Sequence, residues 1–111
     1  MNALELMKEA ARTYEERSKI YKSSYIKNGK VLEALFPDGF PQVKTEDDHN
    51  RMVLFCMLIT KLVRYANNYS EPHIDSIHDL GVYCFMQEEL DRTWHKKRDA
   101  EEAKIYKGSQ Q

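Results

Sequence analysis

Residues 45–69, TEDDHNRMVLFCMLITKLVRYANNY, and 70–91, SEPHIDSIHDLGVYCFMQEELD, decide the fold. They read as two packed helices with a short break. Thr45-x-x-Asp48 is a capping-box-like start, and its acidic first turn suits the positive end of a helix dipole. From Met52 to Tyr69 apolar residues fall nearly all round. At about 100° per residue, Met52, Phe55, Ile59, Leu62 and Ala66 make one stripe. Asn50, Leu54, Met57, Lys61, Tyr65 and Asn68 make the opposite one. A helix apolar on both sides is expected to be buried on both sides, so Lys61 is expected on a covered stripe.

The run 67–72, NNYSEP, breaks this helix, and the next begins near Ile74 or Asp75. On it, Asp75, Asp79, Val82, Tyr83, Met86, Leu90 and Trp94 lie within roughly 60° of one line. Ile77, Leu80, Gly81 and Cys84 make a second apolar side. Gly81 is disfavoured by propensity and suggests close helix approach. Past Asp91 the helix is expected to run on as a charged extension and to fray at Gly108.

Upstream, Leu4, Met7, Ala11, Tyr14, Ser18, Tyr21 and Tyr25 keep a 3–4 spacing, the mark of an amphipathic helix over 3–22, with Asn2 as its cap. Its tyrosines read as core or interface packing, or as the rim of a ligand pocket. Residues 24–36 form a shorter helix docked by Val31, Leu32, Leu35 and Phe36. Pro37-Asp38-Gly39 is a turn, and Phe40 and Val43 pin the loop that follows. The fold class is therefore all-α: a small bundle of three to four helices with a central antiparallel pair, 46–69 and 75–95. One domain is expected, divided into an N-terminal helix (1–23), a short helix and loop (24–44), the central pair (45–95) and a charged extension (96–111). Two-sided burial of the central helices predicts a homo-oligomer.

Composition narrows the function classes. The chain has 111 residues, enough for one small domain with a large surface for its volume. The formal net charge of −1 supplies no global field to draw nucleic acid. The basic run His95 to Arg98 is followed at once by acids and reads as a solvated helix face. The longest apolar run, 52–59, is far short of the roughly 20 residues that span a bilayer. Cys56 and Cys84 sit in apolar stretches and read as buried free thiols of a reducing cytoplasm.

The chemistry lies in charged residues set among apolar ones. A carboxylate on an apolar stripe needs a partner, because desolvating it alone is expensive. For Asp79 three partners stand open. Lys61 or Arg64 could form a structural ion pair. Asp75 and Asp79, one turn apart, could share Mg²⁺ alongside substrate phosphates. A ligand could also bring its own donors. Lys61 and Arg64, also one turn apart, could clasp phosphates. His73, Asp75, His78 and Asp79 together look like metal ligands, although His78 points about 100° away from Asp79. His78-Asp79 is similar to the pair of HD-type phosphohydrolases, for which His49 and Asp91 would have to complete the set. Neither cysteine suits nucleophilic catalysis, and there is no Gly-rich phosphate loop.

Residues 13–39 and 44–91, above all ALFPDG, KTEDD, KLVRYANN and DSIHDLGVY, resemble a family of small phage and prophage proteins of undefined function. The helix with Asp75-x-x-x-Asp79-x-x-x-Tyr83 also resembles the second acidic helix of MazG-like all-α nucleotide pyrophosphohydrolases. That resemblance implies a cytoplasmic helical oligomer that handles nucleotides, with Asp75 and Asp79 on the Mg²⁺ side. The family's first helix carries two glutamates, whereas residues 49–70 here hold no acid, and Lys61 and Arg64 stand there instead. The expectation is a phage-type protein that binds a nucleotide or nucleotide-derived signal, to control nucleotide pools or sequester a host defence signal. Lys61 and Arg64 would engage phosphate. Asp75 and Asp79 would hold a metal or a ligand hydroxyl, beside His78, and Tyr65 and Tyr83 would flank the base. Two alternatives remain: a Mg²⁺-dependent MazG-like pyrophosphohydrolase, and a module that binds a host protein and uses its ion pair only structurally.

Overall fold

The structure is a computed structural model that describes residues 1–109. It contains four helices: α1 (Ala3–Tyr21), α2 (Ser24–Leu35), α3 (Glu46–Asn67) and α4 (Ile74–Ser109). Among the described residues there is no strand. None of these helices is long and apolar enough to cross a membrane. Local chemistry explains the helix starts. Asn2 accepts the Glu5 N–H at 2.9 Å and caps α1. Thr45 and Asp48 form a reciprocal capping box at α3, each side chain taking the other's backbone N–H. Between α1 and α2 the chain turns at Lys22 and Ser23, both at positive φ (47° and 58°). Each such residue costs of the order of 1 kcal/mol without glycine's freedom. The turn is held because Lys22 donates its backbone N–H to Ser18 at 2.9 Å and its Nζ to the Asn67 carbonyl at 3.2 Å.

Helix α3 is the centre of the molecule, with α4 along one side and α2 along another. Toward α4 it presents Asp47, Arg51, Leu54, Leu58, Lys61 and Tyr65, all partly or fully covered. Their alternating 4–3 spacing is that of a two-helix seam. The answering seam on α4 is Ser76, Leu80, Tyr83, Gln87, Leu90 and Trp94, with the same spacing. Much of this seam is polar, and polar contacts tie it. Asp47 accepts from Lys97 at 2.7 Å, Asp48 from the Trp94 indole at 2.9 Å, Asp91 from Arg51 at 2.7 Å and Asp79 from Lys61 at 3.0 Å. Partner numbers fall along α4 as they rise along α3.

On the α2 side, Asn28 donates to Thr60 at 3.1 Å, and Phe36 meets Phe55 edge-on at 5.5 Å. Phe36 also packs on Phe40, which fastens the loop after α2. Helix α1 is docked by its C-terminal half, where the Tyr14 and Tyr25 hydroxyls meet at 3.3 Å and the last turn is tied to the end of α3. Its carbonyls at Ile20 and Tyr21, left without helical partners, accept from the side chains of Asn68 and Asn67.

Several expectations are corrected. Of the central helices, α3 is covered on two sides, by α4 and α2, whereas α4 is covered on one only. Leu54, Ile59 and Val63 are the buried apolar residues of the described chain, while Val53, Met57, Leu62, Val82, Phe85 and Met86 are exposed. The inward line of α4 is turned from the expected one: Ser76, Leu80 and Gln87 face α3, and Asp75, Val82 and Met86 do not. The reason is that polar Ser76 and Gln87 occupy seam positions that an apolar pattern does not register. Cys84 is exposed and Cys56 half-buried, so neither is a fully buried thiol. Among the described residues a Cβ at Gly81 would meet nothing within 4 Å, so no neighbouring element there approaches it closely. Helix α4 runs on past Asp91 as expected, and its described part ends at Ser109. Its exposed stretch, 95–108, carries local pairs such as Arg98–Glu102, which support an isolated helix. The last two residues of the expected extension lie outside the described residues.

The Asp48 carboxylate accepts backbone N–H groups of Thr45 and Lys44 and the Trp94 indole N–H, and these donors hold its pKa at about 2. The unfolded value is about 3.9. Between the two the unfolded chain binds more protons, so the stabilisation is complete above about pH 4 and is lost as pH falls toward about 2. Acid titration read by the single tryptophan, Trp94, should show loosening in that window. Asp48→Asn should weaken the junction at neutral pH and flatten the acid response. An unchanged acid profile in Asp48→Asn would contradict this assignment.

Candidate functional site

Four of the residues singled out from sequence come together on one edge of the α3–α4 pair. Lys61 reaches from α3 to Asp79 on α4 at 3.0 Å, with side chains 18% and 41% exposed. The pair is therefore a half-covered edge contact, not the expected interior one. The Lys61 ammonium also stands 5.9 Å from the centre of the Tyr83 ring, within reach of a weak cation–π attraction. One turn along α3, the Arg64 guanidinium lies 3.7 Å over the ring of Tyr21. Lys61, Arg64 and Tyr83, with Met57 and Thr60, line an open cleft of about 230 Å³.

The two cations are in different states. Lys61 is already paired with a carboxylate. Arg64 has no carboxylate within 4.0 Å among the described residues, and its Nε is buried with no acceptor. A guanidinium carries five donors and always its charge. Leaving one of those donors dry and unpaired is costly, so the site is short of an acceptor. The stack on Tyr21 holds the planar group in place beside the cleft.

The remaining expected residues stand elsewhere. Tyr65 turns toward the α3 C-terminus and meets Tyr69 edge-on at 6.1 Å. Asp75 and His78 are solvent-exposed on α4 and do not line the cleft. His73 is engaged with the Ser76 hydroxyl at 2.7 Å. The HD-type arrangement does not assemble. His49 bonds its own helix start at the Thr45 carbonyl, and Asp91 holds Arg51. Asp91 also lies about 20 Å along α4 from His78 at 1.5 Å per residue.

Among the described residues no three His, Cys, Asp or Glu side chains stand together in a way that could hold a metal ion. Asp79 already gives one oxygen to Lys61. Mg²⁺ shared with Asp75 would depend on substrate phosphates or further carboxylates to fill its octahedron.

Sequence reading missed Thr60 as a member of this site and offered Tyr21 only as part of a tyrosine rim, not beneath Arg64; Tyr14, Tyr21 and Tyr25 do line a cleft of about 260 Å³ of their own. Tyr21 is 43 positions before Arg64, and only the left-handed turn at Lys22 and Ser23 brings it there. It also missed a second cleft of about 400 Å³ on the other edge of the pair, where Phe36, Phe55, Arg51, Gln87 and Asp91 meet. There the charges satisfy one another: Asp91 accepts from both Arg51 and Gln87.

The half-exposed Lys61–Asp79 pair should add little to stability. Lys61→Met is expected to change the unfolding free energy by less than about 1 kcal/mol, the usual range for such pairs. A loss of about 3 kcal/mol or more in denaturant unfolding would mean a fully desolvated pair instead.

No protein-family model matches the chain, and neither a curated protein nor a solved structure matches it. Function is therefore read from the geometry.

Proposed function

We propose that the Lys61–Arg64 edge binds the phosphates of a nucleotide or nucleotide-derived signal. The observation that carries this reading is Arg64. It is a partly covered guanidinium with an unpaired buried Nε, beside a second cation and an open cleft. Phosphate supplies what the site lacks, several anionic acceptors in a geometry that matches the guanidinium fork. Asp79 keeps the Lys61 ammonium oriented and offers its outer oxygen to a ligand hydroxyl. The Tyr83 ring and Met57 give a flat apolar wall against which a base can lie. The cleft, at about 230 Å³, is smaller than the roughly 300 Å³ where ligand pockets usually begin. It takes the diphosphate and ribose portion, and the base lies at the rim. Tyr65, Asp75 and His78 have no contact in this pose.

In this reading the unit is a homo-oligomer built on an antiparallel α3–α4 pair. Its setting is the host cytoplasm implied by the resemblance to phage proteins. Binding would withdraw a nucleotide from the host's pool or signalling. The same edge would become a pyrophosphohydrolase only if a second copy lent carboxylates to Asp79 and Asp75 for Mg²⁺.

Calorimetric titration against nucleoside di- and triphosphates, dinucleotides and cyclic nucleotides, with and without Mg²⁺, tests the proposal. One class should bind. Arg64→Gln should weaken it by about 10- to 100-fold, as expected for losing a hydrogen bond to a charged group worth about 1.5–3 kcal/mol. Lys61→Met should weaken it as well, with helicity unchanged. Ligand recovered intact supports binding, and Mg²⁺-dependent release of pyrophosphate supports hydrolysis. Absence of binding across the panel would overturn the reading and favour a protein-binding module.

A further inference from the structure

The folded chain leaves 8819 Å² accessible to solvent. A compact monomer of this mass exposes about 6,400 Å² by the size scaling of folded proteins, so the excess is about 2,400 Å². A standard protein interface buries only about 800 Å² per partner. Shape agrees with area. The radius of gyration is 19.9 Å and the longest dimension 68 Å, whereas a globular domain of this length has a radius of about 13 Å.

The excess is apolar in two places. On α1, Leu4, Met7 and Tyr14 are exposed, Met7 by 68%. With Ala11 they keep the 3–4–3 spacing of a two-helix seam; Tyr14 touches α2 through the Tyr25 hydroxyl at 3.3 Å, while Leu4 and Met7 stay open. On the outer face of α4, Phe85 is 77% exposed and Ile77 is also open. Gly81 lies between them along the helix, with nothing within 4 Å of where a Cβ would stand. Glycine in a helix interior is unfavourable unless a neighbouring backbone comes close, and none among the described residues does.

We propose that a second copy of this chain covers both surfaces. In a two-fold dimer, α1 of each copy lies across the outer face of α4 of the other, crossing near Gly81. A second copy fits better than an unrelated partner because the single chain cannot do without it. Its buried apolar residues, among those described, are Leu54, Ile59 and Val63, and its cysteines are free and staple nothing. At 111 residues length alone does not demand a partner, but a chain that buries so few apolar residues gains core by covering its exposed apolar surface with a second copy. A foreign partner would leave the chain short of core until the two met. The inference deepens the homo-oligomer part of the functional reading and rests on that part alone. The Arg64 cleft plays no role in it, so nucleotide binding and assembly fail separately.

Sedimentation with light scattering, run over a wide concentration range with thermal unfolding alongside, tests it. The wild-type chain should show twice the chain mass and a Tm that rises with protein concentration. Met7→Glu and Phe85→Glu are changes at exposed positions of the single chain, yet each should shift the mass toward one copy. Gly81→Leu separates the cases most sharply. It should lower the mass if a helix crosses there. It should leave the mass alone and raise Tm if the site is solvent, since leucine is the better helix former. Should the variants lose helix together with mass, the concentration dependence of the wild-type Tm still decides. A single-chain mass with a concentration-independent Tm overturns the proposal, as does an assembly that all three variants leave intact.

Discussion

Arg51 donates to Asp91 at 2.7 Å, Trp94 to Asp48 at 2.9 Å and Lys97 to Asp47 at 2.7 Å, all within one end of the α3–α4 contact. At the other end Lys61 meets Asp79. Polar contacts of this kind specify register better than they add stability, because each exchanges good hydration for a comparable protein contact. Apolar seams tolerate a slip of one turn. A seam with cations facing carboxylates at both ends does not, since slipping would leave partly covered charges unpaired. The positions of Arg64, Tyr83 and the cleft between them follow from this register.

The polar seam has a second consequence. Seam positions given to Asp47, Arg51, Ser76 and Gln87 are not available to leucine, so the apolar residues of both helices end up partly on the outside. Arg51 and Arg98 also lie near the Trp94 ring, at 5.3 and 4.8 Å from its centre. The largest side chain is thereby held in a cationic setting rather than in a core. Together these features make a chain with defined helices, a defined register and an unfinished interior.

How much of this was legible in the sequence depends on the range of each interaction. The Thr45–Asp48 cap joins residues three positions apart and is readable directly. The all-helical class and the turn after Phe36 follow from periodicity and from Pro37-Asp38-Gly39. Lys61 and Asp79 could be named as partners because each lies on a recognisable helical stripe. The burial of that pair could not be judged, because it depends on how far α4 rotates, and rotation is set by Ser76 and Gln87, which look like surface residues. Tyr21 beneath Arg64 was out of reach for a different reason. It requires two non-glycine residues in the left-handed region, a conformation that nothing at Lys22 or Ser23 announces.

Arg64 is where fold and function meet, because the α1–α2 turn, the Asn67–Asn68 anchor and the α3 register all serve to hold it. Its Nε–H is the most specific reporter of the site. In a ¹H–¹⁵N spectrum of the arginine side chains, titration with inorganic pyrophosphate should move the Arg64 Nε–H resonance first and furthest, in a saturable way, as phosphate oxygens engage the guanidinium. If Arg64 stays still while surface arginines such as Arg12 and Arg92 respond evenly and without saturation, the edge is not an anion site, and the account is wrong at its centre.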